Sequence, residues 1–376
     1  SKNNLLYFYV NDIPRIAPKD TLTASEKVNL DIWHYGEPTL KTTQLARLKR
    51  DLKNADLYAF NFATNQIYLL ANDTLSLQSD HKELNEWVLA SNNTNYKLSS
   101  MWDYNSIEDV YKLNLKTGEK SLIRTNMNGA IDLSRKGDML ISFNEKKGQY
   151  YALDLNTNIE KCITCDAKGR NWVNDVNGMP MDPNPVQAFG FDQSGTRYYM
   201  ADETDVFEYD FTKGILNNLS DNRGKKENKE FRFLALSSDS SFVDLSRTAL
   251  KVFDKKTKGN EIYEWIDGAF EKTNVADAQI VYFNTSKDGS VKLLRKNTVA
   301  EYANLQIAVN GGEWKQISTA NTFKSEYKWA TVDLIKWKSY KGLELEGLVY
   351  KPEDYDPAKS YPMIVYYYET YSESLH

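Results

Sequence analysis

The sequence predicts an all-β fold built from repeated four-stranded units, and three observations carry that prediction. Aromatic residues make up 13% of the 376-residue chain, with 25 Tyr and 8 Trp, and these types favour pleated, half-buried surfaces. Alternating strand patterns recur along the chain, joined in pairs by turns that place Asn or Gly where positive φ is needed. The closing strands of these pairs end near residues 70, 124, 164, 220, 273 and 318, a spacing of 40 to 56 residues. Blades of a β-propeller repeat at roughly 40–50 residues, whereas helical solenoids do not use a hairpin as the repeated element. About six blade-like units are expected before residue 325, in a ring that either closes there or is incomplete.

The elements follow in order. Leu5–Val10 reads as a short apolar strand, and Asp56–Phe62 and Ile67–Leu70 as strand, turn, strand. The same phrase returns at Asp109–Leu115 with Lys120–Ile123, Tyr150–Leu155 with Lys161–Thr164, Val206–Phe211 with Asn217–Ser220, and Leu305–Val309 with Lys315–Ser318. A weaker copy runs from Leu250 to Thr273. Further strand pairs lie upstream of several copies, as in Ala130–Ile141 and Ala188–Tyr199, so two hairpins make each four-stranded unit. Residues 39–53 break the pattern. Leu45, Leu48 and Leu52 recur at helical spacing behind Pro38, predicting an amphipathic helix inserted before a blade. Asp166 to Pro185, rich in Asn, Gly, Pro and Asp, reads as a long loop.

The pattern changes after about residue 330. Asp333–Gly342 and Leu343–Tyr350 form one hairpin, and Tyr361–Tyr368 is a nearly continuous apolar run of the kind buried on both faces of a sheet. The division expected is therefore 1–330, propeller blades with the helix near 39–53, and 331–376, a linker hairpin plus the first strand of a second, truncated domain.

Composition narrows the function classes. The net charge is −5 with both signs interspersed and no basic stripe, which argues against nucleic acid and anionic membrane surfaces. No apolar run approaches the ~18 residues of a membrane span. The densest charged stretch, Arg223–Glu230, reads as an exposed loop. Ser1 and the residues after it show no signal segment, as in a processed or excised chain. Cys162 and Cys165 form a single C-x-x-C that runs from a strand into a turn, so a structural disulfide or two plain thiols are expected over a redox or metal site. His34, His81 and His376 lie far apart in sequence, and His34 is expected as a packed or hydrogen-bonded ring. Asp175, Asn177 and Asp182 miss the spacing of a calcium loop. No metal and no cofactor are expected. Trp33, Trp87, Trp102, Trp172 and Trp265 are expected as buried blade aromatics in preference to a substrate funnel. The sequence holds no G-x-S-x-G, H-E-x-x-H, phosphate-binding or dinucleotide-binding motif.

The tail, Ser339-Tyr-Lys-Gly-Leu-Glu-Leu-Glu-Gly-Leu-Val-Tyr-Lys-Pro352 followed by Tyr361-Pro-Met-Ile-Val-Tyr-Tyr-Tyr-Glu-Thr370, resembles the phrase that joins the propeller to the α/β-hydrolase domain in prolyl oligopeptidase family serine peptidases. Leu30-Asp-Ile-Trp-His-Tyr-Gly-Glu-Pro38 with Gln44-Leu45, and Asp205–Asp210 with Asn218-Leu-Ser220 and Asn222-Arg-Gly224, are similar to a bacterial dipeptidyl-peptidase and acylaminoacyl-peptidase-like branch. The resemblance implies a parent that hydrolyses peptides with a Ser-His-Asp triad C-terminal to residue 376, leaving this chain alone inactive. It also implies early blades before residue 1, peptide substrates and a periplasmic or secreted location. Tyr368 aligns with the Tyr of the family's Y-G-G-P, whose hydroxyl donates to the oxyanion, although Glu369, Thr370 and Tyr371 replace the Gly-Gly-Pro. Read from the residues alone, Tyr368 ends a buried strand beside Tyr366 and Tyr367 and packs. No glutamate pair for capturing a substrate amine is found. The rival reading is a non-catalytic propeller that binds protein or glycan through its channel, and a propeller glycosidase would need a carboxylate pair that the sequence does not single out.

Overall fold

Hairpins dominate the chain. The computed structural model describes all residues except 1–3, 13–20, 24, 29, 79–85, 129–130, 237–241 and 369. The first sheet has three strands, β1 (Leu5–Val10), β2 (Asp56–Asn61) and β3 (Gln66–Ala71), with helix α1 (Lys41–Asp51) between β1 and β2. Five four-stranded antiparallel sheets follow. They are β4 (Ser76–Leu77), β5 (Trp87–Asn92), β6 (Glu108–Asn114) and β7 (Lys120–Met127); then β8 (Ile131–Leu133), β9 (Met139–Asn144), β10 (Gln149–Asp154) and β11 (Ile159–Cys162). Next come β12 (Gln187–Phe191), β13 (Arg197–Ala201), β14 (Val206–Asp210) and β15 (Ile215–Asn218), followed after helix α2 (Arg223–Glu227) by β16 (Lys229–Ala235), β17 (Thr248–Asp254), β18 (Asn260–Ile266) and β19 (Ala269–Ala276). The last is β20 (Gln279–Thr285), β21 (Val291–Asn297), β22 (Leu305–Val309) and β23 (Lys315–Gln316), and a two-stranded sheet of β24 (Thr331–Lys338) and β25 (Glu344–Lys351) closes the series. Within each sheet the strands lie in chain order, the up-and-down arrangement of a propeller blade.

Five hairpins close in the same way. The last strand residue, Asn61, Asn114, Asp154, Asp210 or Asp254, turns its side-chain oxygen onto the backbone N–H groups two and three residues ahead, at 2.8–3.4 Å. The residue four ahead, Asn65, Gly118, Asn158, Gly214 or Lys258, is left-handed with φ between 54° and 69°. An Asx side chain mimics the backbone acceptor, and Asn or Gly tolerates the positive φ. Lys258 is the exception, and its amine reaches Glu346 at 2.6 Å in a site where the lysine is only 6% exposed.

The chain divides into two compact units, Ser1–Cys165 with Gly178–Pro185, and Asp166–Asn177 with Val186–His376. In the first, Leu57, Ala59, Leu70, Val88, Leu113 and Leu115 join the first two sheets, and Leu89, Val110, Leu140 and Leu153 join the second and third. In the second, Tyr199, Phe231, Phe233, Tyr263 and Phe270 form an aromatic core between neighbouring blades. Phe189 stacks on Phe233 there with centroids 4.7 Å apart. Rings of this size bury enough apolar area to dominate a core. Cys162 and Cys165 are disulfide-bonded.

Several expectations change. Helix α1 forms, but among the described residues nothing covers its apolar stripe, and Leu45, Leu48 and Leu52 are exposed. Trp172 is buried and Trp87 and Trp265 are half-buried, whereas Trp33 and Trp102 are exposed, because they sit in coil and beside a 3-10 turn, outside the strand pairs that form the blades. Arg223–Glu230 is exposed in its middle, Lys225–Asn228, as expected, but it is not all loop and its ends are buried or half-buried. Its first half is α2, and Arg223 lies over the Tyr263 ring with its guanidinium carbon 4.8 Å from the centroid. Lys229 is buried against Glu261 at 3.1 Å, so a buried carboxylate draws this one charge of the stretch inward.

Candidate functional site

The predicted oxyanion donor lies beyond the last hairpin. The β24–β25 hairpin is tied to its own unit by Glu346, which accepts from Lys258 and from Lys336 at 2.7 Å; those hydrogen bonds hold its carboxyl below the usual range. Beyond it Tyr355 packs on Tyr361, whose hydroxyl accepts from the Asp356 N–H at 2.9 Å. Residues 361–368 then form no regular element, and no strand of the described residues pairs with them. Their side chains are open to solvent, with Ile364 at 95% and Tyr368 at 71% exposure. The run expected as a doubly buried strand therefore has neither a ladder nor a covering layer among the described residues. Tyr366 and Tyr368 lean on Tyr371 with centroids 5.4 and 6.3 Å away, and hydrogen bonding with Tyr366 pushes the Tyr371 phenol up. Glu369 lies outside the described residues, and Thr370 is left-handed at φ 52°. His376 ends against Asp277, with Nε2 to Oδ1 at 3.2 Å.

A polar cavity of about 450 Å³ opens in the first unit. It is lined by Arg124, Glu145, Lys147, Tyr151, Glu160 and Asp182 among others, with Arg124 paired to Glu160. Glu145 follows β9, whose middle residues are buried, and so is carried partly into the interior. Among the described residues its Oε1 is buried and meets no hydrogen-bond donor. Burial pushes its carboxyl above the ordinary range, and the neighbouring charge of Asp182 adds to the rise. Nothing in the sequence marked Glu145, because one Glu in a turn after a strand is an ordinary surface pattern. A raised carboxyl binds more protons folded than unfolded, so it lowers stability as pH rises from about 4.3, the ordinary Glu value, through its folded value. Replacing Glu145 by Gln should remove that loss. Thermal unfolding at pH 4 and pH 7 should show the wild type losing stability against Glu145→Gln on going to the higher pH, and a constant difference between them would contradict the assignment.

The second unit holds a buried polar cluster. Asp205, fully buried, accepts from Ser220 Oγ at 2.7 Å, Arg170 Nη1 at 2.7 Å, the Gly224 N–H at 2.9 Å and Thr204 Oγ1 at 3.0 Å. Arg170 also reaches Asp202 at 3.0 Å. Asp205, Arg170, Ser220 and Thr204 are all hydrogen-bonded within it and Asp205 and Ser220 are fully buried, which gives the cluster a structural role. Gly224 is required there, since a Cβ would sit 2.0 Å from the Thr204 carbonyl oxygen.

The other candidates do not gather into a site. His34 is exposed, and its Nδ1 accepts from the Gly36 N–H at 3.1 Å. His81 lies outside the described residues. Asp175 accepts from the Asn177 N–H at 2.8 Å in a local turn. Among the described residues no three His, Cys, Asp or Glu side chains converge as a metal ion needs, and no helix is long and apolar enough to cross a membrane.

Comparison with solved structures bears on the fold. The chain superposes on Porphyromonas gingivalis dipeptidyl peptidase 4 with a TM-score of 0.52 at 12% identity, over 82% of this chain and 49% of that one. The fold is that of a β-propeller. Weaker likenesses are to the β-propeller domain of the trilobed protease from Pyrococcus furiosus (TM-score 0.36, 14% identity, 75% of this chain and 84% of that one) and to the acylaminoacyl peptidase of Pyrococcus horikoshii (0.30, 13%, 81% and 54%). The chain spans about half the length of the dipeptidyl peptidase. No protein-family model and no curated protein matches it.

Proposed function

We propose that this chain is the propeller portion of a prolyl-oligopeptidase-like serine peptidase. In the whole protein the blades restrict access to peptides, and the Ser-His-Asp triad is supplied by sequence outside these 376 residues. The observation that carries the reading is the segment 361–368. Three consecutive tyrosines and Met363, Ile364 and Val365 stand exposed beyond the hairpin that follows the blades, after a connection of residues 352–360. Apolar surface removed from water contributes about 25 cal/mol per Å², so a run of this composition gains most when seated inside a sheet. A hydrolase domain whose sheet takes this run as a strand supplies that seat and brings Tyr368 to the end of the strand. The bonded Cys162 and Cys165 accord with a periplasmic or secreted location, where disulfides persist.

The test uses the full-length gene product. A fluorophosphonate probe should label one serine in a G-x-S-x-G, and labelling should be lost after heat denaturation. Absence of labelling in a folded full-length protein overturns the peptidase reading in favour of a binding propeller.

A further inference from the structure

The second unit holds a cavity of about 540 Å³ whose lining is unlike the first. Its walls include Val281, Phe323 and Trp329, and its polar groups include Arg295, Asn297 and Asn321. The loop 298–303 shapes one side. Trp329 donates its indole N–H to the Val299 carbonyl, and Arg295 Nε donates to the Ala303 carbonyl at 3.3 Å. That leaves both terminal nitrogens of Arg295 without a partner among the described residues, and the amide groups of Asn297 and Asn321 likewise. Asn321 is held left-handed at φ 57° and caps the 3-10 turn Thr322–Glu326 without a side-chain hydrogen bond. A cavity with apolar walls and several unpaired donors is built to receive an acceptor.

The charges choose the kind of acceptor. Lys324 also lines the cavity, but its amine is already bound to the Ala300 carbonyl and lies 5.3 Å from the centroid of the Trp329 ring. Glu301 is exposed to solvent and forms no ion pair with Arg295. Arg295, half-buried, and Lys324 are therefore both cations of the cavity lining without a counterion among the described residues, and Arg295 is the one whose terminal nitrogens are unengaged. A guanidinium offers a planar fork that matches a carboxylate bidentately. We infer that this cavity binds a carboxylate carried on an aromatic or apolar peptide residue, with Arg295 as the fork, Asn297 and Asn321 as flanking donors, and Phe323 and Trp329 as the apolar wall. The carboxylate belongs either to a peptide C-terminus or to an acidic side chain next to the apolar residue. The inference stands apart from the peptidase reading, because its test measures binding and not hydrolysis.

The test titrates the 376-residue chain calorimetrically with N-acetyl-phenylalanine, N-acetyl-phenylalaninamide and N-acetyl-glutamyl-phenylalaninamide. At least one of the two acids should bind at least tenfold more tightly than N-acetyl-phenylalaninamide. Preference for the first acid assigns a chain terminus, and preference for the glutamyl compound assigns a side chain. Arg295→Gln should abolish the discrimination. Asn321→Gly, which removes no side-chain hydrogen bond and keeps the left-handed backbone, should weaken the acid several-fold with a melting temperature unchanged to within a few degrees. The inference is overturned if neither acid binds, if the amide binds as tightly as the acids, or if both variants bind the acids like the wild type.

Discussion

Replacing Asp205 by alanine lowers stability by about 3–5 kcal/mol, the usual cost of removing one partner from a buried ion pair. The reason is the number of donors left behind. Ser220, Arg170, the Gly224 N–H and Thr204 all point at this carboxylate, and Asp205 and Ser220 are 0% exposed. For a unit of this size the fall corresponds to roughly 6–20 °C in melting temperature. Asp205→Asn keeps the shape and one acceptor oxygen, and should fall between the two. Acid should narrow the gap. Burial alone would raise the Asp205 carboxyl, but the hydrogen bonds from Ser220, Arg170, Gly224 and Thr204 outweigh it and hold the value low. A depressed carboxyl contributes stability above the unfolded value of about 3.9 and loses it as pH falls through the folded value. Denaturant unfolding at pH 7 and pH 3 measures both effects, and a loss below about 1 kcal/mol at pH 7 would mean that the cluster is not what pins α2 to its blade.

The same cluster shows what a sequence can and cannot disclose. Hairpins were legible because their physics is local. Asn65, Gly118, Asn158 and Gly214 stand four residues after an Asn or Asp that supplies the turn's acceptor, and both members of each pair are visible in the text of the sequence. The acceptor half, unlike the Gly or Asn half, was a signal available but unread. Arg170, Asp205 and Ser220 are 15 to 50 residues apart, and no local rule joins them. Hence all of Arg223–Glu230 reads as solvated, since the charge of Lys229 suggests water until the buried Glu261 that receives it is known. Burial of Trp172 but not of Trp33 or Trp102 follows the same line, because composition marks an aromatic residue as able to pack and only topology supplies the neighbours. Glu145 and Arg295 were invisible for a related reason: each is defined by a cavity that two or more loops must build.

In the full-length protein, on the peptidase reading, Tyr368→Phe lowers kcat by about 10²–10³, the effect of deleting one side-chain donor to an oxyanion, while KM stays nearly constant. The split matters because a hydroxyl that meets only the charge developing in the transition state gives nothing to ground-state binding. A merely structural tyrosine would behave otherwise. Tyr368 is 71% exposed in this chain, so losing its hydroxyl should leave the melting temperature of the 376-residue chain unchanged. Its neighbour provides the internal contrast. The Tyr366 hydroxyl is already engaged with Tyr371, so Tyr366→Phe should change kcat no more than a few-fold. The Gly-Gly-Pro replaced by Glu369-Thr-Tyr371 makes the comparison sharper, since Thr370 takes the left-handed conformation that a glycine adopts freely and that strains a β-branched residue. If Tyr368→Phe retains kcat within a factor of three while the serine still reacts with a fluorophosphonate, the hydroxyl is not the oxyanion donor. The donor must then come from backbone N–H groups near the nucleophile, and segment 361–368 would serve the sheet alone.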